Sequence, residues 1–590
     1  MDYQQVVFPY RRSPDQDADA PARHPVVVVG AGPVGLSLAI DLAQQQVPVL
    51  LLDNDDRLST GSRAICFAKR TLEIFDRLGV GAGLVDKGVS WNTGRVFLRD
   101  QPIYSFNLQP ETTHERPAFI NIQQYYVEGH LVERAMTLPL IDLRWKHEVV
   151  GVSPHEDGAT LQVRTPEGDY AIAADHVIAC DGARSSVRAL IGQEAKGRTF
   201  RDRFLIADVR FKDAVPRPAP GRSQAGASPH GGQRSGEAAS VGVVDFPAER
   251  WFWFDPPFHP GQSVLLHKQP DGVWRIDFQL GWDADPEVER QPDRILPRVR
   301  ALLAHSAMKD AAFELEWASV YSFSCERMAR FRHGRVIFAG DAAHRVSPFG
   351  ARGANSGIQD AENLAWKLAA VLQGRAGDAL LDSYCVERAA AADENIGHST
   401  RATDFITPKS EISRIFRDAA LQLARDHAFA RALVNSGRLS TASTLHDSPL
   451  NTADVDAFDG DMLPGAPASD APVRVDGRDG WLLRCLGSSR FAALVFGDAG
   501  MPASGRAVRA LQQAAEGLAP LDVLLIAGDA QGRVEGARTV IDAAGLVARR
   551  YDGRPGTVVL LRPDQHVCAR WRAPDAPALR HALRHALALP

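Results

Sequence analysis

Three short glycine-bearing segments of this chain carry residue types suited to holding a phosphate-bearing, electron-rich ligand. The first is Gly30-Ala31-Gly32-Pro33-Val34-Gly35. In a G-x-G-x-x-G placed between a strand and a helix, the first glycine allows a tight turn. The second lets the backbone approach a pyrophosphate, and the third lets helix and strand pack closely, with the helix N-terminus facing the phosphates. Asp53 follows about twenty residues on, where an acid accepts hydrogen bonds from an adenosine ribose. A carboxylate there would repel a 2′-phosphate, so the pattern favours FAD or NAD over NADP. Arg63, in Gly61-Ser62-Arg63-Ala64, is placed to return to the pyrophosphate as a bidentate donor; a solvated surface arginine is the plainer alternative.

The second segment is Cys180-Asp181-Gly182, a turn at the end of the run His176–Ala179. The third is Gly340-Asp341-Ala342-Ala343-His344, at the end of Arg335–Ala339. A glycine-rich stretch, Pro348–Gly357, leads into a helical pattern with Ile358, Ala361, Leu364, Ala365 and Leu368 on one face. A carboxylate at a strand end can hold a polyol hydroxyl. A glycine-rich helix start can set backbone N–H groups against an electron-rich atom.

The elements that must position these residues are legible too. Val26–Val29 is a β-branched run bounded by glycine, which predicts a buried parallel strand. Leu36, Ala39, Ile40 and Ala43 follow at helical spacing, then a second strand over Val47–Leu52. This is the start of an α/β fold. At 590 residues the chain exceeds one ordinary core, so two or three domains are expected. A net charge of −5 with only short basic stretches argues against a nucleic-acid partner. No apolar run reaches the roughly 18 residues that span a bilayer. Met1–Pro25 lacks the residue order of a secretory signal, so a cytoplasmic location is expected. The six cysteines contain no C-x-x-C, which predicts reduced thiols and no metal site.

Taken together, the three segments resemble those of the class A FAD-dependent aromatic hydroxylases, the phenol hydroxylase and p-hydroxybenzoate hydroxylase type, over roughly residues 25–400. The resemblance implies a Rossmann-like FAD-binding domain with an interleaved β-sheet substrate domain. It implies tightly bound, non-covalent FAD, with NADPH or NADH as a transient co-substrate. The implied reaction is hydroxylation of a phenolic substrate with O2 through a flavin C4a-hydroperoxide. On this resemblance Gly30, Gly32, Gly35, Asp53 and Arg63 serve the dinucleotide, and Asp181 and Gly182 serve FAD and the visiting nicotinamide. Asp341 binds the ribityl chain, with Gln124 nearby. Gly353 and Asn355 meet the isoalloxazine ring, and the Pro348 carbonyl faces the substrate. A polyketide-type tailoring hydroxylase and a flavin-binding regulatory protein without turnover are the alternatives.

Domain boundaries are expected as follows: an N-terminal extension over 1–24, the first part of the FAD-binding domain over 25–200 with substrate-domain segments near 91–120, and a substrate sheet over 201–325. The second part of the FAD-binding domain with further helices spans 326–445, a linker 446–470, and a thioredoxin-like α/β domain 471–590. Within the sheet, strands are predicted at Phe204–Phe211, Ser263–His267, Val273–Leu280 and Ala318–Phe323, with a flexible loop or lid over Pro216–Ala239. Trp274-Arg275-Ile276-Asp277-Phe278 alternates with period two, so Arg275 and Asp277 share a face. Facing inward, Arg275 would bind a phenolate or carboxylate and Asp277 would orient it; the alternative is a cross-strand ion pair on the solvent face. His259, His267 and His344 are candidate bases by type only, with a structural role favoured for His344. The C-terminal unit resembles the thioredoxin-like tail of the longer phenol-hydroxylase subgroup. Lacking C-x-x-C, it is expected to serve structure or a homodimer rather than thiol chemistry.

Overall fold

The structure, a computed structural model, describes residues 3–61, 64–212, 246–306, 308–434, 439–529 and 532–590. Arg63 and the 216–239 segment lie outside the described residues.

Strand Ala22–Val29 lies between two parallel neighbours, Val49–Asp53 and Gly168–Ala179. Val336–Phe338 runs parallel beyond Gly168–Ala179, and Ile141–Trp145 beyond Val49–Asp53. Val26, Val27 and Val28 are completely buried, because helices cover this sheet and a parallel sheet covered on both faces needs continuous apolar strands. The register decides the site. Val29 pairs with both Leu52 and Ala179, and Ala179 pairs with Phe338. Four neighbouring strands therefore end at one level. Backbone bonds tie the next residues together: Gly30 N–H to the Leu52 carbonyl at 2.8 Å, Cys180 N–H to Val29 at 2.8 Å, and Ala339 N–H to Ala179 at 3.0 Å. Helices Pro33–Gln44 and Gly353–Leu372 pack on each other beside those ends.

The N-terminal residues are part of this domain. Phe8 stacks on Trp145 with ring centroids 4.4 Å apart, and the Tyr3 hydroxyl donates to Glu133 at 2.7 Å.

A second sheet has seven strands in the order Phe313–Tyr321, Arg203–Phe211, Val273–Leu280, Ser263–Lys268, Arg250–Phe254, Thr93–Leu98, Gln101–Asn107. Two early strands, from residues 93–107, thus join a sheet otherwise built from later chain. The strand read at 318–323 instead runs Phe313–Tyr321 as an edge strand. Glu314 and Glu316 alternate along its exposed side, which hides it from a search for apolar runs. Strand Val273–Leu280 is buried at every position. One face packs under helix Pro292–Ala304, through Ile276, Phe278, Ile295 and Val299. The other carries Phe252, Phe254, Leu265 and Phe204 against Phe349 of the first domain. This strand has no solvent face, so period two here separates two interiors.

The C-terminal unit is a seven-stranded mixed sheet with Phe491–Phe496 parallel to Leu521–Ala527 and antiparallel to Val558–Leu561. Helices Pro502–Ala515 and Ala576–Ala586 pack together on one face. The stretch expected to be a linker is held along the edge of this unit: Thr452 N–H meets the Cys568 carbonyl, Gly465 N–H meets Val567, and Asp454 pairs with Arg570 at 2.7 Å. Among the described residues no helix is long and apolar enough to cross a membrane. The six cysteines are unpaired.

The C-terminal unit docks through charges with no access to water. Arg562 meets Glu387 and Asp564, and Lys367 Nζ lies 2.6 Å from Glu387; all four side chains are 0% exposed. Burial raises the Glu387 pKa, but Arg562 and Lys367 outweigh it and hold the carboxyl well below its usual range. Removing one member of a buried ionic group leaves the others uncompensated. Arg562→Met is therefore expected to destabilise the protein by roughly 3–5 kcal/mol, read as a lower thermal midpoint of the FAD-loaded protein. An unchanged midpoint would show that the network contributes nothing.

Candidate active site

At the first strand end the glycines have distinct steric reasons. Gly30 has φ +103°, and a Cβ there would stand 2.6 Å from the Cys180 carbonyl oxygen. A Cβ on Gly35 would stand 2.0 Å from the Gly30 oxygen. Gly32, by contrast, has nothing within 4 Å of a built Cβ. Gly32 is also the N-cap of helix Pro33–Gln44 and offers no capping side chain. The open space at Gly32 and the uncapped helix start together make an anion cradle. Asp53 braces the cradle: its carboxylate accepts the Ala31 N–H at 2.6 Å and the Asp55 N–H at 2.8 Å. Burial raises its pKa, and those two N–H groups oppose the rise.

Gln124 opens helix Gln124–Met136. Its amide accepts from Ala64 N–H at 3.2 Å and donates to Glu128 at 2.8 Å. Glu128, buried, takes both the N–H and the hydroxyl of Ser59, at 2.8 and 2.6 Å. The two residues brace both ends of the segment that contains Arg63. Glu128 was not among the site residues expected from the sequence.

At the second strand end, one Asp181 oxygen accepts the Val187 N–H at 3.0 Å and the Ser186 hydroxyl at 3.2 Å. The other oxygen is buried without a partner among the described residues. Gly182 turns the chain at φ +78°. At the third strand end the Asp341 carboxylate is exposed. A Cβ built on Gly353 would lie 3.9 Å from its Oδ1, so the carboxylate stands over the start of helix Gly353–Leu372.

The group that holds this third end was not legible as a site residue. Asp360, completely buried, accepts the Gly340 N–H at 2.9 Å, His344 Nε2 at 2.7 Å and Arg388 Nε at 2.6 Å. Burial pushes its pKa up, but His344 and Arg388 outweigh that and keep it below the ordinary value. His344 is thereby spent on Asp360 and is not directed at a ligand. Asn355 is spent in the same way. Its side chain accepts from Ala68 N–H and Thr71 Oγ1 and donates to the Cys66 and Ala351 carbonyls, all between 2.6 and 2.9 Å. Only backbone at Asn355 is left for a ring. The Pro348 carbonyl accepts the Ala351 N–H at 3.1 Å, so one of its lone pairs is used in a turn.

The inner face of the seven-stranded sheet carries a charged row beside this helix start. Register aligns Arg250 with His267, His267 with Arg275, and Arg275 with Asp208. Arg275 pairs bidentately with Asp208, Nε–Oδ1 at 2.8 Å and Nη2–Oδ2 at 2.7 Å. Neither alternative offered for Arg275 holds as stated. The ion pair is cross-strand, yet it is buried, and its partner is Asp208 rather than a ligand anion. Asp208 was within a predicted strand, but the strand register that brings it opposite Arg275 is a tertiary property.

Asp277 lies one row along, its Oδ2 3.9 Å from His267 Nε2. Burial pushes its pKa up to about 6, against the pull of Arg275. Burial, with Arg250 and Arg275, holds His267 well below its ordinary value, so the ring is neutral. Cys66 joins the two halves: its sulfur lies 4.0 Å from His267 Nδ1 and its carbonyl accepts from Asn355. His259 is directed elsewhere, at the Gln279 carbonyl, 2.6 Å away. Among the described residues no cluster of His, Cys, Asp and Glu could hold a metal.

The strand-end residues fit a flavin dinucleotide. Gly32 faces open space, one Asp181 oxygen is buried without a donor, and a carboxylate at Asp341 is presented beside an uncapped helix start.

Comparison with known proteins agrees with this geometry. Residues 23–399 match a family described as FAD binding domain. The 3-(3-hydroxy-phenyl)propionate/3-hydroxycinnamic acid hydroxylase of Mycolicibacterium smegmatis is 27% identical over 579 residues, 96% of this chain and 93% of that protein. The 12-dehydrotetracycline 5-monooxygenase/anhydrotetracycline 6-monooxygenase of Streptomyces rimosus is 31% identical over 367 residues, 62% of this chain and 66% of its own. Among solved structures, the flavin-dependent monooxygenase PieE in complex with FAD and substrate shares the fold with TM-score 0.75 at 23% identity, covering 97% of this chain and 100% of that one.

Asp341→Ala is expected to weaken FAD binding by roughly 1.5–3 kcal/mol, the range for a hydrogen bond to a charged group. FAD retained after dialysis, read from flavin absorbance, measures it. Full retention would move the ribityl chain away from this residue.

Proposed function

The chain belongs to the FAD binding domain family, and we propose that it works as an FAD-dependent monooxygenase that hydroxylates a phenolic ring with NADH or NADPH and O2. The observation that carries this reading is the adjacency of two features. Four strand ends with a dinucleotide cradle stand at one level, and the charged row of the sheet reaches the Gly353 helix start through Cys66.

FAD, once reduced by the nicotinamide cofactor, supplies the oxygen-activating chemistry. The protein's own contribution is positioning and proton control. The N–H groups at the start of helix Gly353–Leu372 favour negative charge at the edge of a ring placed there. The Asp277 carboxylate, with a pKa near 6, is ionised at neutral pH and takes the phenolic proton at Oδ2. Loss of that proton makes the ring richer in electrons at the carbon to be hydroxylated. Neutral His267 Nε2, 3.9 Å from that oxygen, lies beside it without neutralising it. Phe204 and Phe349, 4.9 Å apart, close the sheet against the Pro348–Gly353 turn and exclude water.

A single-ring phenol is the first reading, supported by the Mycolicibacterium hydroxylase, which is named for a phenylpropionate and matches over 96% of this chain. A fused polyketide ring is the second, supported by the tetracycline monooxygenase, 31% identical over 62%. The protein is proposed to act in the cytoplasm, with the C-terminal unit as a thioredoxin-like structural domain.

Phenols that accelerate NAD(P)H oxidation, with oxygen uptake and a hydroxylated product, are the expected result of a substrate screen on the FAD-loaded protein. Oxygen consumption that no phenol stimulates would sink the reading. The pH profile tests the base. A base works deprotonated, so kcat/KM is expected to rise with pH through about 6 and then level. Asp277→Asn should lose that limb and about 10²-fold or more in rate. A limb retained in the variant would assign the proton transfer to another group.

A further inference from the structure

Arg250 stands out among the buried arginines. It opens strand Arg250–Phe254 and is 6% exposed. Arg275, Arg388 and Arg562, comparably buried, each meet a carboxylate: Asp208, Asp360 and Glu387. The Arg250 guanidinium forms no ion pair among the described residues, and its Nη1 is enclosed without any acceptor. A buried charge without a counter-ion costs several kcal/mol, so a fold that keeps one has another use for it. Burial holds its pKa below the ordinary value, and its electrostatic neighbours are Cys66, Asp277 and Tyr321. Asp277 and Tyr321 belong to the seven-stranded sheet, and Cys66 touches it through His267.

We propose that Arg250 is the specificity-determining residue of this site and seats a carboxylate borne by the phenolic substrate. The inference rests on the reading that the inner face of the sheet roofs the substrate. The anion is the side-chain carboxylate and not the phenolate, because the phenolic oxygen must lie at Asp277 to lose its proton. Arg250 is two strands and one row away from Asp277. With strands about 4.8 Å apart, their backbones are roughly 10 Å apart, with His267 on the strand between them, so the two groups would engage different ends of one ligand. His267, opposite Arg250, is neutral and does not compete for the anion. Arg275 does not compete either, since Asp208 neutralises it.

The test is equilibrium binding to the oxidised, FAD-loaded protein, followed by the change in flavin absorbance. The probes are 3-(3-hydroxyphenyl)propionate, 3-hydroxybenzoate and their primary amides. The wild type is expected to bind at least one acid tenfold or more tightly than its amide, about 1.4 kcal/mol. Arg250→Met should lose that preference through weaker binding of the acid, with FAD content intact, and Arg250→Lys should recover part of it. The thermal midpoint without ligand should not fall in Arg250→Met, because the substitution removes an unpaired charge. The proposal is overturned by a wild type with no acid-over-amide preference. It is equally overturned if Arg250→Met keeps the preference, or loses acid and amide together with a lower midpoint. An acid preference that depends on Arg250, in a protein whose oxygen consumption no phenol stimulates, would retain this inference and reject the hydroxylation reading.

Discussion

One completely buried carboxylate, Asp360, holds the candidate site together. It binds the Gly340 N–H just beyond the third strand, a histidine four residues later and an arginine from the long helix Ala379–Ile406. Each donor comes from a different element, so Asp360 fixes a strand end, a loop and two helices relative to one another. Its two positive or polarised partners offset the cost of burying its charge. The consequence for chemistry is geometric. Asp341 sits one residue beyond Gly340, and the start of helix Gly353–Leu372 lies two turns before Asp360, so the Asp341 carboxylate and the helix N-terminus are set by the same anchor.

The antiparallel sheet solves a different problem. Its outer face is an apolar core under helix Pro292–Ala304, while its inner face mixes phenylalanines with Arg250, His267, Arg275, Asp277 and Asp208. In such a setting charges either find each other or are left uncompensated. Arg275 and Asp208 find each other and stiffen adjacent strands. Among the described residues Asp277 and Arg250 have no such close partner, which is why they are the groups proposed to meet a ligand. The division follows from register: Asp208 is directly opposite Arg275, while Ile206 is opposite Asp277.

The C-terminal unit is coupled to the flavin side through the turn at Arg562–Gln565. Arg70 and Arg77, from helix Lys69–Leu78, both reach Glu362 as well as the carbonyls of Asp564 and Pro563. Glu362 lies on the same helix as Gly353, so the docked domain braces the helix that begins beside Asp341. This gives the tail a structural function that needs no thiol chemistry.

Local pattern was enough for everything that depends on neighbours in the chain. The G-x-G-x-x-G segment, the valine run and the two later strand ends are legible because a tight turn, a buried strand and a helix start each leave a short-range signature. The alternation of Arg275 and Asp277 was legible as well, and so was the α/β architecture with an inserted sheet. What the chain alone did not decide is which charges cancel. Asp360, Glu128, Asp208 and Arg250 carry no local signature, since a charged residue in a helix or strand reads as a solvated one until its surroundings are known. Only the packed structure sets strand register and removes water, and it is the removal of water that turns a surface charge into a paired anchor, as at Asp360 and Asp208, or leaves it uncompensated, as at Arg250.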